Sequence, residues 1–184
     1  NVFLSNGSID GRPRFPGTPV DTFSLTTFKT FSVLMFSDLV SSSNAVINEY
    51  AETAIVVDMG TATTFTFIEK KIIKGVAITA GLVTQRNAIT KNASQLNQFE
   101  FKTPLNVLGG NTVDCLNSGL LYGHSTMVKG VVDEIKKQHN CDPKVIITGG
   151  TSRFIKELLP SEYVFDELLL LKGLVNIYKK NNKK

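Results

Sequence analysis

The residues best equipped for chemistry fall in one short run, Asp58-Met59-Gly60-Thr61-Ala62-Thr63-Thr64. Asp58 ends an apolar stretch, Ala54-Ile55-Val56-Val57, that reads as a buried strand. A carboxylate there is costly unless it is paired or coordinates a cation. Gly60 permits a tight turn, so successive backbone N–H groups can point at one spot. The hydroxyls of Thr61, Thr63 and Thr64 add donors. The pattern describes a phosphate cradle with a cation-binding acid at its lip. It is not a Walker loop, which ends in GK[ST]. On residue types alone, a plain β-turn whose threonines suit a hairpin explains the run as well.

The elements that must position this run are legible from about residue 54 onward. Thr64–Ile68 alternates Thr and Phe as a second strand, Glu69-Lys70-Lys71 makes a polar hairpin tip, and Ile72–Ile78 returns as a third strand. Thr84 to about Gln98 is helical by composition. Asn111–Asn140 is the clearest helix, with Val113, Leu116, Leu120, Met127, Val131 and Ile135 as the expected core stripe. Gly119 and Gly123, one turn apart, allow close approach of a neighbouring backbone or a kink. Lys144–Ile147 predicts another buried strand, ending at Thr148-Gly149-Gly150. A helix near Ser152–Leu159, a short extended piece at Val164–Asp166 and a closing helix at Leu168–Tyr178 follow. Residues 1–50 are less regular. Gly11, Pro13, Pro16, Gly17 and Pro19 interrupt the first twenty, Ser41-Ser42-Ser43 breaks an apolar stretch, and a helix is expected over about Asn44–Tyr50.

Composition narrows the classes. The 184 residues are 42% hydrophobic and 20% charged, which suits a folded chain rather than a disordered one. No run of 18 apolar residues occurs, so no membrane partner is expected. The net charge of +4 belongs to the end of the chain: Lys172–Lys184 holds five lysines and no acid. Such a tail reads as a solvated helix end, and with only Tyr178 among the lysines no nucleic-acid partner is expected. Cys115 and Cys141 lack metal-ligand spacing, and His124 and His139 do not complete a set. Cys115 reads as a small core residue.

Ala54–Ile68 (AIVVDMGTATTFTFI) closely resembles the second phosphate motif of type III pantothenate kinases, members of the acetate and sugar kinase/Hsp70/actin superfamily. Further motifs follow in order. Gly75-Val76-Ala77-Ile78 resembles the next strand, and Leu108-Gly109-Gly110-Asn111-Thr112 resembles the GxNT loop, with Ser118-Gly119 and Tyr122-Gly123 on the helix behind it. Ile146-Ile147-Thr148-Gly149-Gly150 resembles the turn near adenosine, and Leu170–Leu174 the closing helix. The resemblance spans roughly residues 44–184.

It implies an α/β, ribonuclease-H-like (actin-like ATPase) fold. Residues 1–47 would be a reduced N-terminal domain and 48–184 a largely complete second domain. It implies transfer of a phosphoryl group from ATP to pantothenate, the first step of coenzyme A biosynthesis, in a cytoplasmic homodimer. The cofactors implied are ATP, magnesium and a monovalent cation, potassium or ammonium. Asp58 would hold that cation. Gly60, Thr61, Thr63, Gly149 and Gly150 would contact nucleotide, and Asn111 and Thr112 pantothenate. An apolar face around Leu116–Val132 would serve either the dimer or the chain's own core.

Several family positions differ. No DxGNT motif occurs in residues 1–50, and the GxDR positions before Asn44 carry Val40 and Ser41. Asp38 is the nearest carboxylate and so the candidate catalytic base. The family PG reads Ala80-Gly81, and the lysine of GKNT reads Gly110. These departures imply a shortened or divergent member. They leave open a non-catalytic nucleotide-binding or regulatory protein of the same fold.

Overall fold

The computed structural model describes residues 18–19, 33–92 and 99–182. Its sheet runs β1–β4–β3–β2–β5–β6. The strands are β1 (Thr18–Pro19), β2 (Ala54–Met59), β3 (Ala62–Glu69), β4 (Ile72–Ala80), β5 (Lys144–Thr148) and β6 (Val164–Phe165). The segments β2, β3 and β4 form an antiparallel meander, while β5 and β6 extend it in parallel beside β2. This is a mixed α/β sheet of the ribonuclease-H-like kind. A parallel neighbour requires a crossover. Helices α2 (Leu82–Asn92) and α3 (Thr112–His139) supply it between β4 and β5.

Helices cover both faces, which is why β2 reads as a continuous apolar run rather than an alternating one. Ile55, Val57 and Met59 join Phe65, Phe67, Leu121, Val128 and Val132 on the α3 side. Ala54 and Val56 join Ile68 and Ile146 on the other side, beneath Ala45, Val46 and Leu169. The last three belong to α1 (Val33–Glu49) and α4 (Leu169–Asn181).

The 28-residue α3 is about 42 Å long at 1.5 Å per residue. Asn111 caps its start by accepting from the Asp114 amide at 3.0 Å. Asn140 ends it in the left-handed region, φ 47°, with Lys136, Lys137 and His139 in the last turn. Of the expected core stripe, Leu120 is buried, and Leu116, Met127, Val131 and Ile135 pack partly buried against the core. Val113 lies outside it, 46% exposed. The apolar side of α3 is therefore engaged within the chain, whereas Gly119, Gly123 and Gly130 face open space.

Several expectations change. Helix α1 begins at Val33 rather than near Asn44, and Ser41, Ser42 and Ser43 lie buried in its middle. The expected domain division at 47/48 falls inside this helix. The reason is tertiary: at Gly173, α4 passes so close that a Cβ would overlap the Ser41 backbone. Small side chains on both helices permit that crossing. The predicted helix over 152–159 is two 3₁₀ turns, Ser152–Phe154 and Lys156–Leu158. Residues 93–98, the end of the expected second helix, and most of the first 32 lie outside the described residues.

Lys172 is not part of a solvated tail. Its Nζ meets Asp166 Oδ2 at 2.7 Å and Glu49 Oε2 at 3.2 Å, and Tyr50 Oη donates to the same Asp166 oxygen at 2.7 Å. Bonds to Asp166 and then Glu49 raise its pKa above the ordinary lysine value. Burial opposes charge on Asp166, but its bonds from Lys172 and Tyr50 outweigh that and hold the carboxyl below its usual range. This cluster ties the end of α1 to the start of α4.

Candidate active site

Strand alternation turns Asp58 toward α1, while its neighbours Val57 and Met59 face α3. In the β2–β3 register Asp58 lies opposite Thr64, and Val56 opposite Thr66. Between this patch and α1 lies a cavity of about 310 Å³. Asp38, Leu39 and Ser42 line it from the helix. Asp58, Thr64 and Thr66 line it from the sheet, and Gly60, Thr61 and Ala62 close one end. Asp38 and Ser42 share a wall because they are one helical turn apart.

The Asp58 carboxyl is held above its ordinary pKa of 3.8, first by burial and then by the charge of Asp38. Gly149, at φ +90°, packs against it. A Cβ there would lie 2.5 Å from the Met59 nitrogen and 2.6 Å from Asp58 Oδ1, so no larger residue fits. Thr151 fastens the β5 turn by donating its hydroxyl to Met59 O at 2.7 Å.

The Gly60–Ala62 turn is held from behind. Gly60 N donates to Ala62 O at 2.9 Å, and Thr61 O accepts from Gly81 N at 3.0 Å. Thr84 Oγ1 donates to the same Thr61 oxygen at 2.7 Å. A Cβ on Gly81 would press on Thr61 O at 2.7 Å, so this close approach requires glycine.

The structure thus brings Asp38, Asp58, Gly60 and Thr61 to one cavity, with Gly149 against Asp58 and Gly150 beside it in the turn. Thr63 points the other way. It is fully buried, and its Oγ1 lies 3.0 Å from His124 Nε2. Asn111 and Thr112 sit exposed at the start of α3 and do not line the cavity. The loop before them is fastened to α3. Asn117 accepts from Lys102 N and donates to Glu100 O at 3.2 Å. Ser118 Oγ donates to Val107 O, and Cys115 Sγ to Gly109 O at 3.2 Å. Cys115 is therefore an exposed loop contact rather than a core residue, because the first turn of α3 carries it clear of the core.

Sequence reasoning missed Ser42, Thr66, Thr84, Gln85 and His124. The only available signal was the four-residue spacing of Asp38 and Ser42. Ser42 is 2% exposed and its Oγ has no hydrogen-bond partner. His124 is also buried, and desolvation lowers its pKa to about 4.

Two carboxylates, the unpartnered serine hydroxyl and threonine hydroxyls make an all-oxygen donor set suited to a hard cation. Among the described residues, no lysine or arginine lines the cavity. A polyphosphate here would find its countercharge in a bound cation and in backbone N–H groups. Among the described residues no group of three or more His, Cys, Asp or Glu could hold a metal ion. Nor is any helix among them long and apolar enough to cross a membrane.

The type III pantothenate kinase family model matches residues 37–134. The type III pantothenate kinase of Halalkalibacterium halodurans is 42% identical over 146 residues, covering 79% of this chain and 58% of the relative. That of Acholeplasma laidlawii is 36% identical over 147 residues, covering 80% and 59%. The chain thus spans just under three fifths of the length of these curated relatives. A Campylobacter jejuni structure described as a Baf family transcriptional activator superposes with a TM-score of 0.60. It is 24% identical, with 85% of this chain and 70% of that one covered, and so supports the actin-like ATPase fold alone. On the family match and the motif geometry together, the chain belongs to the type III pantothenate kinase family.

Proposed function

We propose that this protein transfers the γ-phosphoryl group of ATP to the primary hydroxyl of pantothenate, giving 4′-phosphopantothenate in the cytoplasm. The observation that supports this most is the convergence of Asp38 and Asp58 on one oxygen-lined cavity, closed by the Gly60–Thr61 turn. Asp58 holds the monovalent cation, and its burial beside a second carboxylate makes a counter-ion favourable there. Gly60 and Thr61 contact the phosphates, and Gly149-Gly150 lets the nucleotide approach the backbone. Asp38 accepts the proton of the substrate hydroxyl, a role usually worth about 10²–10⁴ in rate. Asn111 and Thr112 orient pantothenate from the start of α3. Magnesium, when bound with the nucleotide, offsets charge on the transferred group. Two copies associate as a homodimer.

A coupled ADP-release assay with pantothenate, magnesium and potassium tests this reading. Turnover of ATP that requires pantothenate, magnesium and potassium is expected, and turnover no faster than the blank rejects it. A second reading, nucleotide binding without catalysis, is favoured by Val40 and Ser41 standing where the family has GxDR and by a cavity with no basic side chain among the described residues that line it. Calorimetric binding of ATP without turnover would select it.

A further inference from the structure

Behind the Gly60–Ala62 turn, on the face away from the cavity, three elements meet at one buried imidazole. His124 of α3 is 2% exposed. Gln85 Nε2, at the start of α2, donates to Ala80 O at 2.8 Å and lies 3.1 Å from His124 Nδ1. The carbonyl contact identifies Nε2 as the nitrogen end of the Gln85 amide, so that amide is a donor on both contacts. His124 Nδ1 must then accept. The neutral ring therefore carries its proton on Nε2, which donates to Thr63 Oγ1 at 3.0 Å. Only one arrangement of protons satisfies the set.

Each partner is one step from the turn. Thr63 directly follows Ala62. Gln85 follows Thr84, whose hydroxyl holds the Thr61 carbonyl, and Gln85 N donates to Gly81 O at 2.9 Å. We propose that His124 is a positioning residue: by bridging Gln85 and Thr63 it fixes the Gly60–Ala62 turn and couples it to α3, which starts at Thr112 behind its cap Asn111. The proposal deepens the reading of that turn as the phosphate contact. The role needs one acceptor and one donor on the same side chain. An apolar replacement fills the space but leaves Gln85 and Thr63 unpartnered.

The test uses the full chain with His124→Leu and His124→Asn. Amide exchange of Gly81, whose N–H is bonded to Thr61 O, is the direct readout. In His124→Leu its protection should fall about tenfold or more relative to that of Val145–Ile147 in β5. His124→Asn, which retains a donor and an acceptor, should restore most of it. The same order should appear in magnesium–ATP affinity, weakened about tenfold in the Leu variant. Protection lost equally at Gly81 and in β5, or unchanged at Gly81, would overturn the proposal. Should His124→Leu not fold, the ring nitrogens of the wild-type protein decide at pH 7. A proton on Nε2 with bare Nδ1 supports the arrangement, and a proton on Nδ1 overturns it. A wild-type chain that binds no nucleotide would sink the proposed function, while the exchange and tautomer results would still decide the role of His124.

Discussion

Asp58 carries charge where burial and Asp38 both disfavour it. Its folded pKa lies above the unfolded value, so ionised Asp58 costs stability at neutral pH. That cost disappears as the pH falls below its unfolded value. Asp58→Asn should raise the melting temperature of the ligand-free protein at pH 7, with the gain shrinking toward pH 4. The same change should weaken nucleotide affinity and potassium activation, each by about tenfold, or about 1.4 kcal/mol. A lower melting point in the variant would show that Asp58 is not strained. His124 has the opposite sign of effect. Its folded pKa of about 4 lies below the ordinary 6.5. Its contribution is complete above pH 6.5 and is lost as the pH falls from there toward 4. Urea midpoints between pH 7.5 and 5 should therefore fall less steeply in His124→Asn than in the wild type. At the start of α3, Thr112→Val should mainly raise the pantothenate KM, and a change confined to the ATP KM would remove Thr112 from the pantothenate site.

At the scale of elements, helix contacts separate two kinds of glycine. Gly173 lets α4 rest on the Ser41 backbone, whereas Gly130 of α3 faces open space. Gly173→Ala should destabilise by about 1–3 kcal/mol through overpacking. Gly130→Ala should stabilise by up to about 1 kcal/mol, because alanine is the better helix former. Urea denaturation of both variants checks the contrast. The same crossing explains what the local sequence concealed. Buried strands such as β2 and β5 were legible because apolar residues on both faces leave a continuous run. The start of α1 was not, because its buried serines oppose local helix propensity, and only the tertiary structure sets Ser41 beneath Gly173 and Ser42 at the cavity wall. Likewise Asp58, Gly60 and Thr61 were legible as neighbours in one motif. Ser42, Gln85 and His124 come from three separate helices, and only the tertiary structure assembles them around it.

Across the described residues, the sheet and its helices cover most of the apolar surface, but large apolar side chains stay exposed in more than one place, Leu171, Leu174, Val175 and Tyr178 along α4 among them. Leu105, Val107 and Leu108 are 99%, 61% and 88% exposed beside the start of α3. Along the helix that follows, Gly119 and Gly123 have nothing near where a Cβ would stand. The buried side of α3 serves this chain's own core, so a dimer along α3 must use this outward side. Glycines there would let a second backbone approach closely, and the apolar loop would gain cover. Sedimentation of the wild type should then give twice the 20.1 kDa of one chain. Gly123→Arg adds bulk and charge only to open space in the single chain, so it should leave the melting of the isolated fold nearly unchanged. It should shift the sedimenting species to one chain's mass. Equal mass in wild type and variant would place any association elsewhere, and a monomeric wild type would remove the dimer from the proposed function.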